Sequence, residues 1–221
     1  MIDDLRRSLF GPHADHVRLA FAPIDAQDRF AHPEEAEAVA AAVDVRRREF
    51  ATGRRLAHEL LELLGCDDGP LLLGHDRAPL WPDGVTGSIS HGAGHCAVVV
   101  AREEAVEGLG VDLEDDGPLA DELFAAILTD AEREALEDED GALGEAAKRA
   151  FCAKEAAYKA LSGRVGRVLD FHDVVVELAG DRFVALHDGE RLDGRFARSA
   201  GLVFAGVVRT AGAPSPRVSR G

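Results

Sequence analysis

Phe151-Cys152-Ala153-Lys154-Glu155-Ala156-Ala157-Tyr158-Lys159, taken with Gly110-Val111-Asp112-Leu113-Glu114 upstream, decides how this chain folds and where its chemistry sits. The upstream stretch continues an apolar run from Leu109 to Val111 and reads as a strand. Residues two apart on a strand share a face, so Asp112 and Glu114 point the same way. The downstream stretch consists mostly of good helix formers with no Gly or Pro, and Lys159 lies one turn beyond Glu155 on the same face. Asp112, Glu114 and Glu155 can thus converge on one oxygen-loving cation beside lysines. That combination suits a phosphate-bearing substrate handled with Mg²⁺. By spacing alone the same residues describe equally well an acidic strand end and a helix with one internal ion pair.

Composition narrows the field. The 221 residues suffice for one large domain or two of about 100 residues each. A formal charge of −16 offers no basic field to nucleic acid or to an anionic membrane, so neither is an expected partner. An anionic ligand must be held by a local basic cluster. Arginine dominates the basic residues. The only lysines are Lys148, Lys154 and Lys159, and two of them fall in the helix just quoted, where a compact ammonium serves as a point charge. Met1 to Arg7 lacks the apolar run of a signal peptide, and no stretch reaches the ~20 apolar residues of a membrane helix. Cys66, Cys96 and Cys152 are odd in number and widely spaced, against a disulfide framework or a zinc site. A reducing cytoplasm is the expected compartment.

Helical patterning runs from His32 to Leu64, opened by Pro33-Glu34-Glu35 and interrupted near Gly53. Leu71-Leu72-Leu73 is a short strand candidate. Ser88 to His91 and Ala97 to Ala101 predict a hairpin across Gly92 to Gly94. Thr129-Asp130-Ala131-Glu132 reads as a capping box, and the helix through Lys148 to Leu161 follows. Three strands complete the chain, over 174–178, 182–186 and 202–208. The order helix then strands in 32–101 recurs in 146–208. The expected fold is therefore α+β: two similar α+β lobes in a pseudo-twofold arrangement, residues 1–108 and 109–211, with the active site at their junction and a frayed tail over 212–221.

Four blocks, in order, resemble the 4′-phosphopantetheinyl transferase family that serves polyketide, nonribosomal peptide and siderophore synthases. They are Arg46-Arg47-Arg48-Glu49-Phe50-Ala51-Thr52-Gly53-Arg54, the run from Pro79-Leu80-Trp81-Pro82-Asp83-Gly84 to Gly87-Ser88-Ile89-Ser90-His91, and the two stretches quoted first. Val168-Leu169-Asp170-Phe171 fits the segment that follows. The resemblance implies a holo-[acyl-carrier-protein] synthase, and two lobes in one chain that can build a complete site without a partner subunit make a monomer the expectation. Such an enzyme moves the 4′-phosphopantetheine arm of coenzyme A to a serine of an acyl or peptidyl carrier protein and releases adenosine 3′,5′-bisphosphate. It implies Asp112, Glu114 and Glu155 as ligands of Mg²⁺, which Mn²⁺ can replace, and Glu155, Lys159 and Asp112 as catalytic residues. It also implies Arg46, Arg54, Arg77, Ser90, His91, Lys154 and Lys159 as contacts to coenzyme A. Arg46, Arg54 and His91 would hold its 3′-phosphate end, while Lys159, helped by Lys154, would hold its pyrophosphate. Arg77, or else His75, would stand in for the lysine that relatives often carry before the Pro-x-Trp-Pro turn.

Two rivals use the same parts. A Mg²⁺-dependent phosphohydrolase acting on coenzyme A or a related nucleotide would need the carboxylates but no carrier protein, and a non-catalytic module would only hold coenzyme A. Ser88 and Ser90 stand near His91, yet no G-x-S-x-G elbow frames them, so a serine hydrolase is not expected. The carrier protein is expected to dock across the lobe junction on a ridge of Leu119, Leu123, Phe124, Ile127 and Leu128, a set that otherwise packs into the second lobe's core. Trp81 is expected to be a packing anchor between the lobes.

Overall fold

The computed structural model describes residues 1–66, 69–74, 77–137, 143–165 and 167–210, position 164 by its backbone alone. His75 and the expected tail over 212–221 lie outside them. Among the described residues are two antiparallel sheets. After an N-terminal helix α1 (Ile2–Phe10), the first sheet takes β1 (Val17–Pro23), β2 (Val85–Gly92) and β3 (His95–Arg102) in the order β1-β3-β2. The pair β2–β3 is the expected hairpin, turned at Ala93 and Gly94 with φ of 48° and 74°, which suits strand twist. Cys96 to Ala101 are fully enclosed, as a middle strand requires.

The helical stretch divides into α2 (Pro33–Ala38) and α3 (Asp44–Leu63), and Gly53 does not interrupt it. The break falls after Ala38, because Glu35 is pulled inward. Its Oε1 accepts from His58 Nε2 at 2.8 Å and from the Leu71 amide at 2.8 Å, which pins α2 against α3. Leu56, Ala57, Leu60 and Leu61 of α3 then pack on Val98 and Val100 of β3. Leu71–Leu73 forms no strand, only a bridge from Leu73 to Pro79.

The second sheet is β4 (Gly108–Asp115), β5 (Val175–Ala179), β6 (Arg182–His187), β7 (Glu190–Ser199) and β8 (Leu202–Arg209), in the order β4-β8-β7-β6-β5. Strand β7 adds to the three strands expected at this end of the chain. Its inward residues Leu192, Gly194 and Phe196 alternate with Arg191, Asp193 and Arg195, so its apolar signal is thin. Between β4 and β5 the described residues form the helices α4 (Phe124–Ile127), α5 (Asp130–Glu137) and α6 (Leu143–Val165). The capping box is formed, Thr129 N donating to Glu132 Oε2 at 2.8 Å and Glu132 N to Thr129 Oγ1 at 3.2 Å. Ala150, Ala153, Ala157 and Leu161 of α6 lie on Val176, Val203 and Ala205 of the sheet. Leu119, Phe124, Ile127 and Leu128 are buried in the same core, and of the expected carrier-docking ridge only Leu123 is exposed. That ridge is therefore core, because the short α4 turns its apolar residues under α6 and away from solvent.

Both lobes are a long helix on an antiparallel sheet, and the second carries two strands more than the first. Leu5, Leu9 and Phe10 of α1 share one core with Val17 and Val99 of the first sheet and Phe204 of the second, so α1 straddles both.

Candidate active site

The site forms where the edge strands β2 and β4 meet under α6. Ser88 Oγ accepts from the Val111 amide at 3.1 Å and thereby joins the two edges. Glycine makes the approach possible. A Cβ on Gly92 would lie 2.5 Å from the Leu113 carbonyl oxygen, one on Gly108 2.5 Å from that of Ala160, and one on Gly110 would overlap that of Ala156. Gly108, Gly110, Asp112 and Glu114 alternate onto one face of β4. The close contact that the glycines allow α6 therefore carries both carboxylates up to the helix. On α6, Lys148, Cys152, Glu155 and Lys159 recur at helical spacing and form one stripe.

Asp112 is buried at this contact. Its Oδ1 accepts from Ser90 Oγ at 2.6 Å and from Lys159 Nζ at 2.6 Å. Lys159 also donates to Ser90 Oγ at 2.9 Å and lies 3.9 Å from Glu155 Oε2. Asp112 Oδ2 is buried with no hydrogen-bond partner. Burial pushes the Glu155 carboxyl above its usual range; Lys159 opposes this, and the charges of Asp112 and Glu114 add to it. Burial likewise pushes Glu114 up, with Asp112 adding and Lys148 opposing. Burial and mutual repulsion of this kind disfavour the charged carboxylates, and further positive charge would favour them. As the side chains stand, no group of three His, Cys, Asp or Glu among the described residues is close enough to hold a metal ion.

The cationic side is built by α3 and β2. Arg46 Nη1 contacts His91 Nε2, and Glu49 Oε2 lies 3.4 Å from Arg46 Nη1 and 3.5 Å from His91 Nδ1. Burial pushes the His91 imidazole below its usual value; Glu49 opposes the shift, while Arg46 and Lys159 reinforce it. Two turns further along α3, the Arg54 guanidinium is buried 4.1 Å over the Phe50 ring. Its Nε and Nη2 have no hydrogen-bond partner, and burial lowers its pKa to about 10. Arg54 lines a cavity of about 590 Å³ with Arg29, Phe30, Arg55 and His58, whereas Arg46 turns to His91.

A second cleft, about 600 Å³, lies between the lobes and is lined by Arg77, Trp81, Ser88, Tyr158, Lys159 and Ser162 among others. Arg77 is exposed at its rim. Trp81 packs with the first lobe's core and faces this cleft. Lys154 is not part of the site. Its buried ammonium donates to Glu132 Oε2 at 2.8 Å, Ile127 O at 2.8 Å and Phe171 O at 2.9 Å, so all three of its protons are used inside the second lobe. This corrects the expectation that it helps hold a ligand. Consecutive residues on a helix point about 100° apart, which sends Lys154 inward when Glu155 faces the site. Ser90 is present, but its hydroxyl is engaged by Asp112 and Lys159. Lys148, Glu49 and the bridging Ser88 join the site although no motif assigns them a role there. Lys148 had a signal, its place on the stripe of Glu155 and Lys159; Glu49 and Ser88 had none beyond proximity to other candidates.

Carboxylates and ammoniums gathered between two helix-on-sheet lobes, with unpartnered arginine N–H groups two turns along α3 from Arg46, suit an enzyme that works on an anionic substrate. Comparison with known proteins agrees and goes further. The family model of the 4′-phosphopantetheinyl transferase N-terminal domain matches residues 34–101, and that of the 4′-phosphopantetheinyl transferase superfamily matches residues 108–203. The chain is 39% identical over 196 residues to 4′-phosphopantetheinyl transferase Svp of Streptomyces mobaraensis, covering 80% of this chain and 77% of that one. It is 37% identical over 192 residues to 4′-phosphopantetheinyl transferase PptT of Mycobacterium tuberculosis, covering 80% and 85%. Enterobactin synthase component D of Salmonella typhi is 38% identical over 122 residues, 54% of this chain and 50% of that one. The chain belongs to the 4′-phosphopantetheinyl transferase family.

Proposed function

We propose that the chain transfers the 4′-phosphopantetheine arm of coenzyme A to a carrier-protein serine in a Mg²⁺-dependent step, as a monomer in the cytoplasm. On this reading residues 1–108 grip the nucleotide end and residues 109–211 carry the reacting groups. The observation that supports it most is the knot of Asp112, Ser90 and Lys159 beside Glu155, with Asp112 Oδ2 buried and unpartnered. Asp112, Glu114 and Glu155 are hard oxygen donors whose crowding a divalent cation would relieve, so their chemistry fits Mg²⁺. Bound there, Mg²⁺ supplies charge neutralisation for a pyrophosphate.

The chain's own groups do the rest. Lys159 sets an ammonium against the pyrophosphate. Arg46 and His91 face a phosphate, and the free Arg54 N–H groups offer charge-assisted bonds to the anionic end of the nucleotide. Glu155, on the face of α6 that carries Lys159, takes the serine proton as general base. The serine oxygen then bonds to the phosphorus that bears the pantetheine, and the bond from that phosphorus to the departing adenosine 3′,5′-bisphosphate breaks. The arm itself suits the cleft beside Trp81 and Tyr158.

Intact-mass analysis of an apo carrier protein incubated with the chain, coenzyme A and Mg²⁺ tests this reading. A gain of one phosphopantetheine arm supports it. Inorganic phosphate or cleaved coenzyme A with no change in carrier mass would indicate a phosphohydrolase, and intact reactants a binding module.

A further inference from the structure

Lys148 has no part in the transfer chemistry above. It is enclosed at the start of the α6 stripe, its side chain only 10% exposed, with Nζ 3.4 Å from Glu114 Oε2 and 3.0 Å from Asp115 Oδ2. All of the chain's lysines lie on α6, and each ammonium sits on a carboxylate: Lys148 on Glu114 and Asp115, Lys154 on Glu132, Lys159 on Asp112. The Lys154 pair is remote from the site. Lys148 and Lys159 instead hold the two ends of the Asp112–Glu114 pair.

Glu114 depends on this contact. Its side chain makes no other hydrogen bond among the described residues, so Lys148 alone ties one oxygen of a glutamate that otherwise has three rotatable bonds. The repulsion between Glu114 and Asp112 favours turning the glutamate out to solvent, and the enclosed ammonium opposes that. Asp115, more exposed at the end of β4, gives Lys148 its second anchor.

We propose that Lys148 is a positioning residue that fixes Glu114 by one oxygen, keeps the other available on the face shared with Asp112, and thereby raises the affinity for the divalent cation. This rests on the metal reading of the three carboxylates given above. Lys148 touches no substrate group and acts only through Glu114. Outer partners of metal-binding side chains typically change metal affinity by about 10–100-fold when removed.

The test uses Mn²⁺ as probe on the full chain with coenzyme A present, free ion being followed by electron paramagnetic resonance. Lys148→Met keeps the stem and removes the charge. It is expected to weaken Mn²⁺ binding by about tenfold or more, with Lys148→Arg recovering much of the loss. Asp115→Asn should weaken binding less, and should add nothing in the Lys148→Met background. In the transfer assay Lys148→Met should raise the Mg²⁺ concentration for half-maximal rate and leave kcat at saturating Mg²⁺ nearly unchanged. Thermal unfolding checks that the variant folds. If Lys148→Met does not fold, Lys148→Gln, equally uncharged and closer to lysine in hydrogen-bonding capacity, carries the same test. Native-like Mn²⁺ affinity in whichever of these two uncharged variants folds would show that the ion pair serves only the fold and overturn the proposal. Tighter binding would make Lys148 a competitor of the cation and overturn it equally. A native chain that binds no Mn²⁺ refutes the metal reading itself, and this proposal with it.

Discussion

Helices α3 and α6 each lie on an antiparallel sheet, and each sends a charged stripe toward the strand edges where β2 meets β4. On α6 every lysine is satisfied: Lys148, Lys154 and Lys159 all rest on carboxylates. On α3 the arginines divide. Arg47 pairs with Asp28 and Arg55 with Asp25, while Arg54 is buried with two nitrogens unpartnered and Arg46 contacts His91 and Glu49. A buried guanidinium whose N–H groups lack acceptors is costly even when it stacks on an aromatic ring. The two helices thus differ in kind: the lysines of α6 are neutralised by carboxylates of β4 and α5, whereas on α3 two guanidinium nitrogens of Arg54 remain without acceptors.

The largest effect should come from the core beneath α6. Phe124 is buried there with Ile127 and Leu128, so Phe124→Ala should destabilise by about 3–5 kcal/mol in denaturant unfolding. A fully stable variant with selectively weaker carrier binding would return this residue to the surface and break the α6 side of the comparison.

Next, Asp112→Asn should lower the transfer rate by more than the ~10–100-fold typical of outer partners, while coenzyme A affinity changes far less. Adding Glu155→Gln should cost little more, because groups acting on one centre are not additive. Single-turnover kinetics with separate ligand titration would check both halves.

On α3 the expected pattern is reversed. Arg54→Met removes an unpartnered buried charge, so the ligand-free chain should gain about 1–3 kcal/mol. Coenzyme A should bind about 10–100-fold more weakly, with the rate at saturation little changed. Calorimetry and thermal unfolding on one variant suffice. Lower stability together with native affinity would mean that Arg54 is a structural residue like Arg47.

The smallest effect concerns pH. The His91 imidazole is pushed down in the folded chain by burial, with Glu49 and Asp112 opposing and Arg46 and Lys159 reinforcing the shift. Unfolded, it titrates near 6.5, so below about that pH the unfolded chain binds more protons. His91 therefore makes stability rise with pH up to about 6.5 and fall as pH drops, at no more than about 1.4 kcal/mol per pH unit. His91→Gln should flatten this slope. An unchanged slope would place the titration elsewhere.

Legibility in the sequence followed the strength of local pattern. The hairpin of β2 and β3, the capping box at Thr129 and the helix through Glu155 were all readable, because apolar periodicity and turn chemistry act over a few residues. Strand β7 was not, since Arg191, Asp193 and Arg195 line its outer face and only Leu192 and Phe196 carry large apolar side chains inward. Helix α1 is hidden for a related reason: its Leu5, Leu9 and Phe10 acquire meaning only from the groove between two sheets whose strands lie mostly far away in sequence.

For the site, local chemistry named Asp112, Glu114, Glu155 and Lys159, because strand and helix periods put these charges on definite faces. Sequence alone could not assign direction to neighbours with the same charge. Lys154 and Lys159 are both ammoniums on one helix, yet one is consumed by Glu132 and two carbonyls in the core and the other reaches Asp112. Arg54 and Arg55 adjoin, and one is left unpaired over Phe50 while the other is matched to Asp25. The charge of a side chain is fixed by its chemistry, but whether that charge is already neutralised depends on partners that only the packing of α3, α6 and the two sheets brings within a few ångströms.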